Sequence, residues 1–356
     1  MSRMNKPVLL VGSVPGDNAE EAMLLCGREI GGLATSISDG ETGNRHQWVQ
    51  FLAANIYHGH EAMETIQRPQ TANGEDKWHN ESYQEKGWLF KVKDGVTDVS
   101  FSSLGYAAAA KKSYSEFVKL KVAGEIPADV RFQVSLPLTE SGTRIFFTND
   151  ADFQVVKGAF EDAMAREIDS MLETIPASDL VIQWDLALEV LYIVLEGKTP
   201  WAPQGSTFER YLVSLSNLSS RIPDEVILGC HFCFGDLGHK HLLEPPDLAL
   251  PVQMANAATK AVTRRIDYFH MPVPMNRTDD EYFAPLAKLE IGDARLFLGL
   301  IHYTDGIAGA MQRVSAANKY YPAGYGIATE CGFGRRPKDT IPGLLKIHSE
   351  VAKMLS

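Results

Sequence analysis

No stretch of this 356-residue chain approaches the roughly twenty consecutive apolar residues that a membrane-spanning helix requires. The opening MSRMNKPVLLVGSVPG holds only a short apolar run, which reads better as a first strand than as a secretory signal. Basic residues are outnumbered, 34 against 45, so the net charge is −11, and the two signs are interspersed. That leaves no basic stripe for nucleic acid and nothing to hold an anionic membrane, although a few local arginines could still grip a small anion. Repeats, low-complexity tracts and a glycine fingerprint after a strand are all missing. Cysteine is scarce: Cys26, Cys230, Cys233 and Cys331 are all there is. A chain this long needs no disulfide staple. A cytoplasmic protein is expected, and in a reducing compartment cysteines near a histidine point to metal or catalysis.

What is present is an alternation. Apolar runs rich in Val, Ile and Leu occur at 8–14, 34–39, 131–137, 180–185, 226–231, 265–271, 296–302 and 326–331. Their continuous apolar character suits strands buried on both faces of a parallel sheet. Between them, apolar residues at three- and four-residue spacing predict helices over 19–30, 152–174, 207–221, 255–263 and 306–319, with a last one in 337–356. Eight β-then-α units predict an α/β protein, a single (β/α)₈ barrel spanning 1–356. An open doubly wound sheet is the competing arrangement. Residues 42–130 break the rhythm as a long insertion between the second and third strands, expected to cover part of the barrel mouth. Its middle, 70–84, is polar and loop-like, and 105–124 reads as a helix.

Barrel chemistry is built at the C-terminal strand ends. Here those ends carry Gly12 and Ser13, Asp39 and Glu41, Ser135, Asp185, His231 with Cys233, His270, His302, and Glu330 with Cys331. Nearly every strand delivers a group that can ligate, titrate or hydrogen-bond, which favours an enzyme. Within Cys230-His231-Phe232-Cys233, strand alternation sends His231 and Cys233 to one side and Cys230 to the other. His231 and Cys233, joined by Cys331, are a donor set suited to Zn²⁺. Buried structural cysteines or a redox CxxC are the alternatives, though Gly235-Asp236-Leu237-Gly238 looks like a loop rather than the helix start a redox motif needs.

Other residues carry two readings each. Glu41 is either a ligand-facing carboxylate in a glycine loop or a helix N-terminal charge. Asp185 ends an apolar strand, where a ligand or a salt bridge must satisfy it. His270 and His302 are site residues or satisfied core histidines. Arg335 and Arg336 form an anion clamp or a structural pair. His239 and His241 with Lys240 read as a surface loop or an extra metal cluster. Trp88, Trp184 and Trp201 read as packing, while Met271 and Met275 could touch an apolar donor group.

Short motifs in order resemble a known family. Leu10-Val11-Gly12-Ser13-Val14-Pro15 resembles its Ile-Gly-Ser first strand, and Asp39-Gly40-Glu41-Thr42-Gly43-Asn44-Arg45 its Gly-Glu-x-x-Arg segment with one extra residue. Phe132-Gln133-Val134-Ser135-Leu136-Pro137 resembles its third strand, and Ile182-Gln183-Trp184-Asp185 its Ile-Gln-x-Asp strand. His231-Phe232-Cys233 and Cys331-Gly332-Phe333-Gly334-Arg335-Arg336 resemble its two zinc segments. The chain thus resembles the uroporphyrinogen decarboxylase/methionine synthase-like superfamily, in particular the C-terminal catalytic barrel of cobalamin-independent methionine synthase.

The resemblance implies that His231, Cys233 and Cys331 hold Zn²⁺. It implies that Gly12, Ser13, Glu41 and Asp185 meet the amino-acid part of a thiol, and that the thiol becomes a zinc-bound thiolate attacking a methyl or alkyl carbon. Arg335 joins the substrate-binding candidates. Departures from the pattern are informative. The family's N-terminal barrel and its glutamate zinc ligand have no counterpart in this sequence, which leaves His270 as candidate fourth ligand. The family's Asp-x-His is replaced by His302-Tyr303-Thr304-Asp305-Gly306, so His302 or Asp305 is the candidate proton donor and Asp185 a further catalytic candidate.

These departures point away from homocysteine plus folate. The expected function is a stand-alone, zinc-dependent methyl- or alkyltransferase acting on a small-molecule thiol. Its donor is a small molecule or a corrinoid on a separate protein, and nothing in the sequence opposes a homo-oligomer. A metal-independent decarboxylase or lyase is the alternative, followed by a non-catalytic binding protein.

Overall fold

The computed structural model describes residues 3–196, 198, 205–237 and 241–355. In chain order, α1 (Ala19–Ile30) precedes β1 (Ser36–Ser38), and a short α2 (Gln50–Leu52) leads to a hairpin of β2 (Met63–Gln67) and β3 (Leu89–Val92). Then come α3 (Tyr106–Val122), β4 (Arg131–Pro137), α4 (Asp150–Leu172), β5 (Leu180–Leu186), α5 (Leu188–Leu195) and α6 (Thr207–Ser219). The remainder is β6 (Ile227–Phe232), α7 (Ala249–Ala261), β7 (Tyr268–Pro272), α8 (Asp280–Phe283), β8 (Arg295–Ile301), α9 (Gly306–Tyr320), β9 (Gly326–Thr329) and α10 (Ile341–Leu355). No helix among the described residues is long and apolar enough to cross a membrane.

The helices begin where local chemistry supplies acceptors for free backbone N–H groups. Asn18 caps α1 through Glu21 N, Asn149 caps α4, and Ser206 caps α6. For α3 the cap is remote. Glu167 of α4 accepts from Ser103 Oγ and from the N–H groups of Leu104, Gly105 and Ala107, so one buried carboxylate pins the start of a neighbouring helix.

Seven strands form one parallel, curled sheet in the order β1-β4-β5-β6-β7-β8-β9, with helices in the crossovers. The eighth expected strand, 8–14, does not form a regular ladder. Only Val8 bridges, in parallel, to Ala34 on one side and Ile327 on the other, with Val8 N–H donating to Leu33 O and Leu9 N–H to Ile327 O. Inward-facing glutamines satisfy carbonyls that a ladder would have used. Gln133 Nε2 donates to Leu10 O and Val11 O (both 3.1 Å), and Gln183 Nε2 also reaches Val11 O. The pattern answers the requirement that buried backbone acceptors be paired.

Alternation along the strands sorts the side chains. Trp184 faces the helices, donating its indole N–H to Ser219 of α6, whereas Val181, Gln183 and Asp185 face into the curl. There Leu9, Val11, Val181, Ile227, Tyr268, Phe297 and Ala328 form a buried cluster separate from the main core under the helices.

Several expectations need adjustment. The hairpin and α5 were not legible as separate elements, and α7 starts at Ala249 rather than 255. Within 42–130, α3 is the crossover that returns the chain to β4, which pairs with β1, so the irregular excursion ends before Tyr106.

Gly229 of β6 is the tightest point inside the curl. A Cβ there would stand 1.9 Å from the ring of Tyr268, whose hydroxyl donates to Gln183 Oε1 at 2.9 Å. Gly229→Ala therefore forces Tyr268 and Gln183 apart. A loss of about 2–3 kcal/mol in urea denaturation is expected, and unchanged stability would show that this layer can yield.

Candidate metal centre and substrate cleft

Gly12, Ser13, Glu41, Asp185, His231, Cys233, Cys331 and Arg335 all line one cleft of about 450 Å³ at the C-terminal end of the sheet. They come from five places in the chain: segment 8–14, the loop after β1, the end of β5, the end of β6, and the loop after β9. One donor atom each from His231, Cys233 and Cys331 lies within 4.8 Å of the others. The two sulfurs are 3.8 Å apart. Two thiolates on a tetrahedral zinc at about 2.3 Å stand about 3.8 Å from each other. The residues fit the ion.

Cys230 points away into the core, where burial pushes its thiol well up. Cys26 is likewise buried, in α1, and raised to about 12. Neither can join the cluster. Burial, helped by the neighbouring His270, holds His231 well below its ordinary value, hence neutral, the form in which an imidazole offers a lone pair.

His270, the candidate fourth ligand, is not one of the clustered donors. It pairs in register with His231 across β6 and β7, and the two Nδ1 atoms are 2.7 Å apart. Burial brings His270 down to about 3. Its place is behind His231, as a hydrogen-bond partner of the ring. The physical reason is register: neighbouring parallel strands set the two histidines side by side, and only His231 lies where Cys233 and Cys331 converge.

The proton-donor candidates also stand away from the cluster. Asp305 forms a two-point ion pair with Arg313 (2.7 and 3.0 Å) at the start of α9, and Arg313 in turn holds the carbonyls of Leu300 and Met275. This carboxylate is engaged in fastening a loop. His302 directs Nε2 to Val273 O (2.9 Å) and Nδ1 toward Glu330 (3.5 Å), and burial lowers it to about 4. Glu330 also faces His241 at 3.5 Å and borders a second, polar opening with Glu244, Asn276, Met275 and Arg336 that reaches Cys331. His239, Lys240 and Trp201 lie outside the described residues.

Three carboxylates line the cleft, Glu41, Asp185 and Asp236, the last of them paired with Arg335. Asp39, at the end of β1, is occupied by Arg45, Ser113 and the Glu41 N–H, and this tethers the loop that carries Glu41. Glu41 itself adopts φ 52°, and Gly12 gives it room, since a Cβ at Gly12 would stand 2.7 Å from Glu41 Oε1. Burial, opposed mainly by Arg45, raises Glu41 to about 7. Asp185 is raised well above the carboxylate range, by burial first and then by the charge of Glu41, against hydrogen bonds from Gln183 and Trp48. Arg335 lies 3.9 Å from Cys331 Sγ and pairs with Asp236 at 3.3 Å.

Sequence reasoning passed over Trp48 and Asp236, which line the cleft, and Tyr83, which lines the space beside it with both of them. Trp48 carries a second strained backbone, φ 51°, and lines the cleft beside Asp185. Strain of this kind costs about 1–3 kcal/mol and gathers at functional sites. Proximity to the Glu41 loop was the available signal for Trp48; Tyr83, from the polar excursion, had none.

No protein-family profile and no curated protein matches the chain. Solved structures do. A B12-independent methionine synthase from Shewanella sp. W3-18-1, in complex with selenomethionine, superposes with a TM-score of 0.62 at 13% identity, covering 99% of this chain and 97% of that one. A methyltransferase from Methanosarcina mazei gives 0.53 at 11% identity, covering 98% and 94%. At these identities the likeness shows a shared fold, the one the sequence motifs had pointed to.

The two raised carboxylates give a test in pH. A carboxyl raised from 4.5 to about 7 binds its proton more tightly when folded. Its contribution to stability is complete below 4.5 and is lost as pH rises through about 7. Glu41→Gln removes the loss. Relative to the parent, the variant should gain on the order of 1 kcal/mol between pH 5 and pH 8 in urea denaturation. Parallel profiles would mean that Glu41 titrates normally.

Proposed function

We propose that this protein is a zinc-dependent methyl- or alkyltransferase acting on a thiol. The observation that carries the reading is the convergence of His231, Cys233 and Cys331 beside two buried carboxylates in one cleft. The shared fold with a methionine synthase and a methyltransferase agrees with it. A decarboxylase reading leaves the three soft donors without work.

Each residue then has a task. His231, Cys233 and Cys331 would hold the ion, whose chemistry in a catalytic site calls for a position open to substrate. A zinc ion there would supply the positive charge that removes the proton from a thiol, whose ordinary value near 8.5 keeps it mostly protonated at neutral pH. His270 accepts the His231 Nδ1 proton and so fixes the tautomer that presents the Nε2 lone pair. Glu41 and Asp185 are too buried to carry two charges unaided, and a substrate ammonium group between them relieves both. Selenomethionine, the compound in the Shewanella structure, bears such a group. Gln183 and Trp48 keep Asp185 oriented while it waits. The thiol sulfur then forms its bond to an alkyl carbon as the carbon's bond to the leaving group breaks, the electron pair departing with that group.

Metal analysis of the purified protein should find about one zinc per chain. Cys233→Ala and Cys331→Ala should lose it, and full retention by both would sink the ligand assignment. His270→Ala should retain the site with metal affinity weakened by about 10- to 100-fold, read by competition with a chromogenic chelator. Addition of 2-aminoethanethiol to zinc-loaded protein near neutral pH should release close to one proton per chain in a pH-stat.

A further inference from the structure

Beside the cluster cleft lies a second, partly open chamber with a different chemistry. Its walls are Ile145, Leu188, Leu191, Phe234 and Leu242, with the Trp48 ring between it and the carboxylates. Among the described residues, the only charged groups lining it, Asp236 and Arg335, pair with each other at 3.3 Å. A carboxylate, phosphate or sulfonate would therefore find no free cation there among the described residues. The apolar side chains continue up to the sulfurs: Ala187, Leu188, Leu191 and Cys233 pack as one cluster, with Trp48, Ile145 and Cys331 against it. Leu242 is left 44% exposed at the rim, as expected of a wall awaiting a partner. Gln50 also lines the chamber; its Nε2 donates to Asn80 at 2.8 Å, while its buried Oε1 has no hydrogen-bond partner among the described residues. An N–H or O–H on the occupant would satisfy it.

We infer that this chamber is a substrate subsite for an uncharged, apolar substituent, and that the substrate is an aminothiol carrying a branched-alkyl or aryl-sized group. The assignment rests on the thiol reading above. It divides the space around the cysteines into three: carboxylates for an ammonium group, an apolar chamber for the substituent, and the polar opening at Glu330 for the alkyl donor. The occupant is the thiol's substituent because the chamber shares Trp48, Ala187, Gly235, Asp236 and Arg335 with the cluster cleft, so one molecule fills both. The polar opening shares fewer walls with the cluster cleft, Asp236 and Cys331.

The test is a binding series by calorimetry on zinc-loaded protein. Its members are 2-aminoethanethiol and 2-aminoalkane-1-thiols bearing methyl, isobutyl or benzyl groups, with the matching amino alcohols alongside. The isobutyl and benzyl thiols should bind at least tenfold more tightly than 2-aminoethanethiol, at roughly fourfold per buried methylene. Leu242→Glu, at the exposed rim, and Ile145→Asp, in the wall, should each collapse that ratio toward one, with thermal melts confirming folded protein. If 2-aminoethanethiol binds with proton release but the substituents add nothing, or the variants keep the ratio, the chamber assignment falls and the thiol reading stands. If no thiol releases a proton, the thiol reading falls. The amino alcohols then decide the chamber: a gain with substituent size that the variants abolish upholds it, and a flat series overturns it.

Discussion

Two carboxylates and two thiols are buried together at one end of a parallel sheet, and among the described residues no unshared basic side chain stands beside them to neutralise the group. Glu41 has Arg45 nearby, but Arg45 is already held by Asp39. Arg335 reaches Cys331, yet is shared with Asp236. Burial therefore drives Glu41 and Asp185 toward their protonated forms, and the Cys233 contact, with burial, does the same for Cys331. A site that keeps these groups protonated at rest gains most from a cation: a metal at the sulfurs and an ammonium at the carboxylates each convert a desolvation cost into an ion pair. The function proposed here follows from that imbalance more than from any single residue.

The rest of the molecule serves to hold those groups in place. Segment 8–14 has no regular ladder, so Gln133 and Gln183 bond its carbonyls, and Gln183 spends its remaining contacts on Asp185 and Tyr268. Ser13 then ties the first segment to the last loop, accepting from Gly334 N–H while its carbonyl accepts from Phe333 N–H. That linkage draws Cys331 toward His231. On the other side, Asp39 anchors the strained loop that aims Glu41, and Trp48 closes the wall. Polar side chains inside the sheet thus replace the backbone ladder where the chain had to stay irregular to form a cleft.

Much of this was legible in the sequence because it depends on period and order. Runs of buried apolar residues marked β4 to β9 to within a few residues, and α1 was read at its full span. Alternation by itself separates His231 and Cys233 from Cys230. Strand ends marked Gly12, Glu41, Asp185 and Cys331 as neighbours, since parallel strands deliver their C-termini to one face.

Other features depended on register, loop path and partner choice, which no local pattern encodes. His270 and His302 carry the same strand-end signal as His231, but cross-strand pairing set His270 behind the cluster and turned His302 toward Val273 and Glu330. Asp305 looked free until Arg313, one helix turn pair away in α9, claimed it. The hairpin at Met63–Val92 lacked a strong alternation, and the chamber walled by Trp48, Ile145, Leu191 and Leu242 joins residues nearly two hundred positions apart. The sequence by itself determined which side chains could do soft-metal and carboxylate chemistry, because residue type and strand period do not depend on the rest of the chain. Only the tertiary structure decided which of them meet, because proximity between distant segments is set by packing of the whole sheet.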